Sequence, residues 1–386
     1  MTKPHIEQRD NIVLRDQQRQ GNDPNDWWYA KLPNKTVDTH RVIFLNIQGL
    51  PTKHWYHKTR QLAEWMGKWQ ADTTLLAELN TYWARIPAEH QWSERVDGIL
   101  RSGKQTKLAY NRNDRHVKGA QQFGGTSVTS TGSCINRDLE QGEDPSGLGR
   151  WAWHKYRGKD NLTLRVVSAY RPNGPGMGGT HTVYAQHLRH LLSTKDDRDP
   201  RVAFCEDLKA QLSSWIEEGN QIIVGLDAND DLRRGPVNTM FQSLHMKDAI
   251  RNHSPEWATA ATCNFSADGK PIDGLYTTGG IDIQTGGYRP FDEGPTTDHR
   301  MLWLDVSKRQ VFGFIPPEIF LNPPKRLTNK DPRAVKKYNK RAKSELLRLK
   351  VPGLLYTSDA ADEEDSVDRG SHLITKTNTT DRNKYN

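Results

Sequence analysis

The stretch QIIVGLDANDD, Gln221 to Asp231, runs an apolar, β-branched segment straight into three aspartates and an asparagine. The apolar part, bounded by polar residues, reads as a buried strand. Asp and Asn are common after strands, where they turn the chain and cap the next helix. A plain polar turn therefore accounts for the segment in isolation. What decides between a turn and a site is whether acidic, amide and imidazole side chains also stand at the ends of other strands.

They do. LNIQGL places Asn46 and Gln48 after one apolar run, and LLAELN places Glu78 at the end of the next. VVSAYRPN brings Tyr170, Arg171 and Asn173, GLDAND brings Asp227 and Asn229, PIDGLY brings Asp273, and PTTDHRML brings Asp298 and His299 just before a last apolar run. If the strands lie side by side, these residues gather on one edge of the sheets.

The chain between them has the texture of a two-sheet α/β body. VIFLNI (Val42 to Ile47), TLLAEL (Thr74 to Leu79), GGTSVTST (Gly124 to Thr131), WAWHKY (Trp151 to Tyr156), LTLRVVSAY (Leu162 to Tyr170), DGLYTT (Asp273 to Thr278) and MLWLDV (Met301 to Val306) all read as strands. Helical periodicity runs over Tyr56 to Trp69, with Leu62, Trp65, Met66 and Trp69 on one face. Further helices are expected over Thr182 to Leu192, Arg201 to Glu218 and Val237 to His245. Strand blocks with helices grouped between them favour two packed mixed sheets flanked by helices over a regular βαβ array. No internal repeat of solenoid or propeller spacing is present.

Residues 1–36 are polar and aperiodic and are expected to form a mobile arm, with Trp27, Trp28 and Tyr29 as a docking cluster. Residues 37–307 form the body. Residues 308–353 read as a basic linker carrying a helix over Arg333 to Leu349, because two Pro-Pro pairs precede a charged helical stretch. LLYTSDAADE (Leu354 to Glu363) matches one reading frame of a sequencing adapter, so residues 354–386 are expected to be appended readthrough without structure, and the natural chain to continue past Gly353.

Composition narrows the partners. No apolar run approaches the roughly 20 residues of a membrane span, and the polar N-terminus lacks the apolar core of a signal peptide. An intracellular, nuclear protein with no membrane partner is expected. Cys134, Cys205 and Cys263 are odd in number and widely spaced, which points to reduced thiols. The net charge is +8, but Lys308 to Lys350 holds 13 Lys and Arg against three acids. The basicity therefore belongs to that segment, and residues 1–307 carry only +1.

The strand-end residues suit hydrolysis of a phosphodiester. Glu78 and Asp298 are hard oxygen donors of the kind Mg²⁺ prefers. Asp227 can deprotonate a water, and Asn229 and His299 can donate to a phosphate as negative charge builds. Asp273 can fix the tautomer of His299 and favour its charged form.

The ordered set NIQGL, AEL, SAYRPN, GLDAND, IDGLY and TTDHR resembles the endonuclease/exonuclease/phosphatase superfamily over about Thr36 to Ser307, and most of all the endonuclease domains of non-LTR retrotransposons. The resemblance implies a DNase I-like four-layer α/β sandwich and a Mg²⁺-dependent endonuclease, with Mn²⁺ as a possible substitute ion. It implies Glu78, Asn46 and Asp298 around the metal, and Asp227, Asn229, His299, Tyr170 and Asp273 as catalytic residues. Asn173, with Arg171 beside it, would contact the scissile phosphate. Gln48 stands where AP endonucleases typically have aspartate, Ala77 where glutamine commonly precedes the metal glutamate, and Thr297 in place of serine. The first two departures fit a divergent mobile-element enzyme, whose partners would be DNA and a C-terminal reverse transcriptase. A phosphatase acting on an inositol lipid or small phosphoester, or an inactive nucleic-acid-binding remnant, are the alternatives.

Overall fold

The computed structural model describes residues 31–51, 57–97, 100, 104–177, 179–255, 260–264, 269–315 and 332–348. Among them are twelve strands in two six-stranded sheets. The first sheet has the order β11-β12-β1-β2-β4-β3, built from β1 (Thr39–Asn46), β2 (Thr73–Ala77), β3 (Lys104–Ala109), β4 (Thr126–Thr131), β11 (Ile283–Tyr288) and β12 (Leu302–Ser307). The second has the order β5-β6-β7-β8-β10-β9, built from β5 (Asp138–Glu143), β6 (Trp151–Arg157), β7 (Thr163–Tyr170), β8 (Gln221–Asp227), β9 (Lys247–Asp248) and β10 (Asp273–Thr277). Each sheet is antiparallel except for one central parallel pair, β1 with β2 and β7 with β8.

Strand alternation divides the apolar residues into three layers. Val42 and Phe44 of β1, Leu75 of β2, Val166 of β7, Ile223 of β8 and Leu275 of β10 fill the space between the sheets. On the outer face of the first sheet, Ile43, Leu45 and Leu76 pack against Leu62, Ala63 and Met66 of α1 (His57–Lys68) and Trp92 of α2 (Trp92–Asp97). On the outer face of the second, Ile222, Val224 and Leu226 pack against Phe204, Leu208, Leu212 and Trp215 of α4 (Pro200–Glu217) and Phe241 of α5 (Pro236–Ser243), while α3 (Val183–Ser193) precedes α4. These three apolar layers separate the four layers, helices, sheet, sheet and helices, of the α/β sandwich expected from the sequence.

Gly225 explains how closely the sheets approach. A Cβ at this point of β8 would lie 2.5 Å from Phe44 Cδ2 and 2.8 Å from Leu75 Cδ1 across the interface. At one end of the sandwich the interior is polar. Tyr156 OH bonds Ser130 Oγ at 2.6 Å and Thr73 Oγ1 at 3.0 Å, and Ser130 Oγ also lies 2.7 Å from His154 Nδ1.

Several expectations are corrected. Between the expected strands DGLYTT and MLWLDV, where the sequence reading places no element, lies β11, an edge strand of the first sheet. Thr36, Lys35 and Pro33 of the expected arm contact the body: Lys35 Nζ lies 2.8 Å from Asp72 Oδ1, and Arg41 donates to the Pro33 carbonyl. The Trp27–Tyr29 cluster lies outside the described residues. After α6 (Ala249–His253) and the last strand, the body also continues beyond Ser307, because α7 (Lys308–Phe312) buries Val311 and Phe312. By itself, the segment from Asn322 onward contains α8 (Pro332–Arg348), in the place expected for a basic helix. Residues 354–386 lie outside the described residues.

Candidate active site

The alternation that builds the core also aims the polar strand ends. Ile223 and Gly225 face the opposing sheet, so Asp227, two residues further on, faces it too. The same count from Val42 and Phe44 turns Asn46 inward, Val166 does so for Tyr170, and Leu275 does so for Asp273. Register then brings them together. Asp227 stands beside Tyr170 in the β7–β8 pair and directly opposite Asp273 in the β8–β10 pair. Across the gap, Asn46 Nδ2 donates to Asp227 Oδ2 at 2.7 Å, tying the two sheets at this edge.

Glu78 follows β2 with a φ of 54°, and Asn229 follows β8 with a φ of 47°. Both turn the chain out of its strand in a left-handed conformation that costs a non-glycine residue energy. Tyr170 OH donates to Glu78 Oε1 at 2.5 Å. The Asn229 amide N–H donates to Asp227 Oδ1 at 2.9 Å, and its side-chain Nδ2 donates to the Arg171 carbonyl at 2.7 Å. His299 Nδ1 lies 2.7 Å from Asp273 Oδ2, and its Nε2 lies 3.7 Å from Asp298 Oδ1. Ligand atoms of Asp227, Asp273 and His299 all lie within 4.8 Å of one another.

Electrostatics in this pocket is strained. Burial pushes the Asp227 carboxyl well above its ordinary range, and the neighbouring Asp273 charge pushes it further. Burial also raises Glu78; the Tyr170 hydroxyl and the His299 charge pull it down, and Asp298 pushes it up. Burial alone would discharge His299, but the Asp273 carboxylate reverses this and holds the imidazolium well above the usual histidine range. Oδ1 of Asp273 and Oδ1 of Asp298 are buried without a hydrogen-bond partner among the described residues. Crowded carboxylates with unsatisfied hard oxygens are the donor chemistry of a divalent cation site. Glu78 and Asp298, which repel one another, fit that role, with Asn46 alongside.

The remaining sequence candidates take other places. Arg171 is buried, and its guanidinium is used on Asp230 Oδ2 at 3.1 Å and on the carbonyls of Ala228 and Arg201. Asn173 lies in the chain just after Tyr170, and no hydrogen bond of its side chain is found among the described residues. Asp230 and Asp231 hold side chains: Asp230 accepts from Arg171, and Asp231 binds Arg233 through both oxygens. The acid-rich turn is thus one site carboxylate followed by two that pin arginines.

Two residues escaped the sequence reading. Lys58 in α1 feels the charges of both Asp298 and Glu78, and burial lowers its ammonium to about 8. Its Nζ lies 3.3 Å from the Gln48 carbonyl. Only its place one turn before the buried Leu62 on α1 hints at this. Cys263 pairs with His299 across an isolated bridge, and its sulfur lies within 4.8 Å of ligand atoms of Asp298 and His299. Nothing in its spacing set it apart from the other two cysteines.

No family model and no curated protein sequence matches this chain, but solved structures do. The catalytic domain of Xenopus laevis APE2 superposes with a TM-score of 0.51 at 15% identity, covering 76% of this chain and 98% of that one. The AP endonuclease LMAP of Leishmania major gives 0.52 at 13% identity, covering 74% and 95%. The chain has the DNase I-like fold. The human Nocturnin catalytic domain, solved with a bound sulfate anion, shares that fold at a TM-score of 0.50 and 14% identity, covering 74% of this chain and 99% of that one. In this DNase I-like sandwich the polar cluster occupies the edge where the central strands of both sheets end. Among the described residues no helix is long and apolar enough to cross a membrane.

Proposed function

We propose that this chain is a divalent-cation-dependent phosphodiesterase that nicks DNA by attack of water. The observation that carries the reading is the convergence of Asp227, Asp273 and His299 within 4.8 Å, with Asn46 bonded to Asp227 from the other sheet. No side-chain nucleophile here is matched to a general base: the nearest sulfur, Cys263, borders His299, which Asp273 holds as an imidazolium unable to take its proton, so the attacking group is water.

Asp227 is the base. Its raised proton affinity equips it to take a proton from water near neutral pH, and the Asn46 amide and Asn229 N–H hold its two oxygens in place. His299, kept charged by Asp273, offers Nε2–H to a phosphate oxygen as negative charge develops there. Asn229 gives one amide hydrogen to the Arg171 carbonyl and holds the other beside the Tyr170 hydroxyl, from where it can be offered to the same phosphate. Tyr170 holds Glu78 in position. A cation such as Mg²⁺ held by Glu78 and Asp298 would neutralise charge on the phosphate and its leaving oxygen.

DNA is the favoured substrate because two of the similar folds are an APE2 catalytic domain and an AP endonuclease. Origin in a mobile element, with a reverse transcriptase C-terminal to this chain and function in the nucleus, is supported by Gln48, Ala77 and the basic segment around α8. A genomic continuation past Gly353 that encodes a polymerase palm would bear this out. The small net charge of residues 1–307 favours a second reading, a phosphatase of an inositol lipid or small phosphoester, since DNA binding needs local positive charge. Plasmid nicking with Mg²⁺, beside Glu78→Ala and Asp227→Ala, tests the proposal. Nicking by the parent alone supports it; turnover of a small phosphoester without nicking supports the second reading. DNA binding without turnover of either would mark an inactive binding protein.

A further inference from the structure

A second polar cleft lies away from the carboxylates. It encloses about 600 Å³ between the chain after β3 and one face of α3, and Arg112, Arg115, His116, Arg189 and His190 line it with one acid, Asp114. The volume is that of a ligand pocket, but the lining is cationic where a small-molecule site would be apolar. Asp114 is already engaged, by Arg189 at 3.3 Å and by the His116 N–H at 3.0 Å. Arg112 is half exposed and touches Glu143, and Arg115 has no carboxylate partner among the described residues. Three guanidiniums thus meet here against two carboxylates, and Arg115 is left uncompensated in a body whose net charge is close to zero.

The cleft is mechanically joined to the active-site rim. Asn80, two residues after Glu78, exchanges hydrogen bonds with Gly124, its N–H donating to the Gly124 carbonyl and its Oδ1 accepting from the Gly124 N–H, both at 2.8 Å. The adjacent Phe123 carbonyl accepts from Nε2 of buried Gln186, a residue of the cleft wall. Phe123 itself is 44% exposed, and an exposed aromatic beside a basic cleft is a surface on which a base can stack.

We infer that this cleft binds a backbone phosphate of a nucleic-acid strand, at a distance from the phosphate being cut. The inference rests on the phosphodiesterase reading for the direction of the strand, but not for the chemistry of the cleft. Guanidinium groups present paired N–H donors that match phosphate oxygens, and each backbone phosphate neutralised releases counterions. The strand would cross Phe123 on its way from the carboxylate site to the cleft.

The test is Arg112→Glu/Arg115→Glu, both at exposed positions, against Lys159→Glu/Lys247→Glu, which makes the same charge change at the opposite end of the sandwich. Binding of a fluorescent 20-bp duplex is measured in EDTA across a salt series, and bis(p-nitrophenyl) phosphate turnover is measured with Mg²⁺. The expected result is about tenfold or greater loss of duplex affinity and a log–log salt slope shallower by about 1, for the one lost phosphate contact. The control pair should bind nearly as the parent does. Diester turnover should be unchanged, and Arg112→Lys/Arg115→Lys should restore affinity. Equal affinity and slope in the two glutamate pairs would overturn the inference, as would duplex binding by the parent without salt dependence. If the parent binds duplex through the cleft yet hydrolyses nothing, the cleft stands and the phosphodiesterase reading falls. If the cleft variant nicks and binds as the parent does, that reading stands and the cleft falls.

Discussion

Replacing Asp273 with asparagine separates the charge of the Asp273–His299 pair from its shape. In the parent the carboxylate lies 2.7 Å from His299 Nδ1 with both groups buried, and it holds the imidazolium well above the ordinary histidine range. A folded-state pKa raised above the unfolded value of about 6.5 contributes stability that is fully present below pH 6.5 and is lost as pH rises through the folded value. Asparagine can still accept from Nδ1–H, but it leaves burial as the dominant influence, and burial discharges His299. At pH 5.5 the variant therefore loses a buried ion pair, a cost of about 3–5 kcal/mol. Asp273 Oδ1 has no hydrogen-bond partner among the described residues, so an amide nitrogen placed there adds an orphaned buried donor worth about 1–3 kcal/mol at any pH. Urea denaturation of both proteins at pH 5.5, 7.5 and 10 should show the destabilisation shrinking toward that smaller figure as pH rises. A difference in unfolding free energy that does not change with pH would refute a charged His299 and remove it as the phosphate's cationic contact.

Glu78→Gln should abolish cation-dependent activity and also the thermal stabilisation by Mg²⁺, which for the parent is about 2.7 kcal/mol at an ion concentration 100 times Kd; an unchanged shift in a melting experiment would place the ion elsewhere. Tyr170→Phe removes the donor to Glu78 Oε1 and should cost about 1–3 kcal/mol in chemical denaturation, because a buried carboxylate oxygen is left without that bond. Gly225→Ala should destabilise by about 1–3 kcal/mol, since its Cβ would meet Phe44 at 2.5 Å and the opposing sheets would have to part; native-like stability would mean the interface is looser than the distances imply.

The central strands and the site could be read from the sequence for one reason. A strand buried on both faces is apolar throughout, so the first carboxylate or amide after it stands out, as Asn46, Glu78 and Asp227 do. Four strands carry no such signal, β3, β5, β9 and β11, and these are the four sheet edges. An edge strand pairs on one side only and keeps polar side chains. KQTKLA, DLEQGE and IQTGGY therefore lack the apolar signal, and β9 is two residues long. Arg171 misled for the opposite reason. It directly follows Tyr170, but its buried guanidinium turns toward Asp230, and that partner depends on a turn conformation that spacing does not encode.

The site is also the place where the fold works against itself. Two buried pairs elsewhere are matched, Arg41 with Asp305 at 2.7 Å and Arg150 with Asp144 at 2.6 Å. Between the strand ends, Glu78, Asp227, Asp273 and Asp298 face one fully buried cation, His299, and the partly buried Lys58. Burial and mutual repulsion raise Asp227 and Glu78, so the apoprotein relieves the excess charge by taking up protons. That frustration persists because the surrounding sheets fix the side chains: register opposes Asp227 to Asp273, and the Asn46 bond fastens the two sheets across the gap. A cation and a phosphate compensate such a cluster where protons do so only partly. The same excess that costs stability in the free protein is what would bind the ion and leave Asp227 basic enough to accept a proton from water.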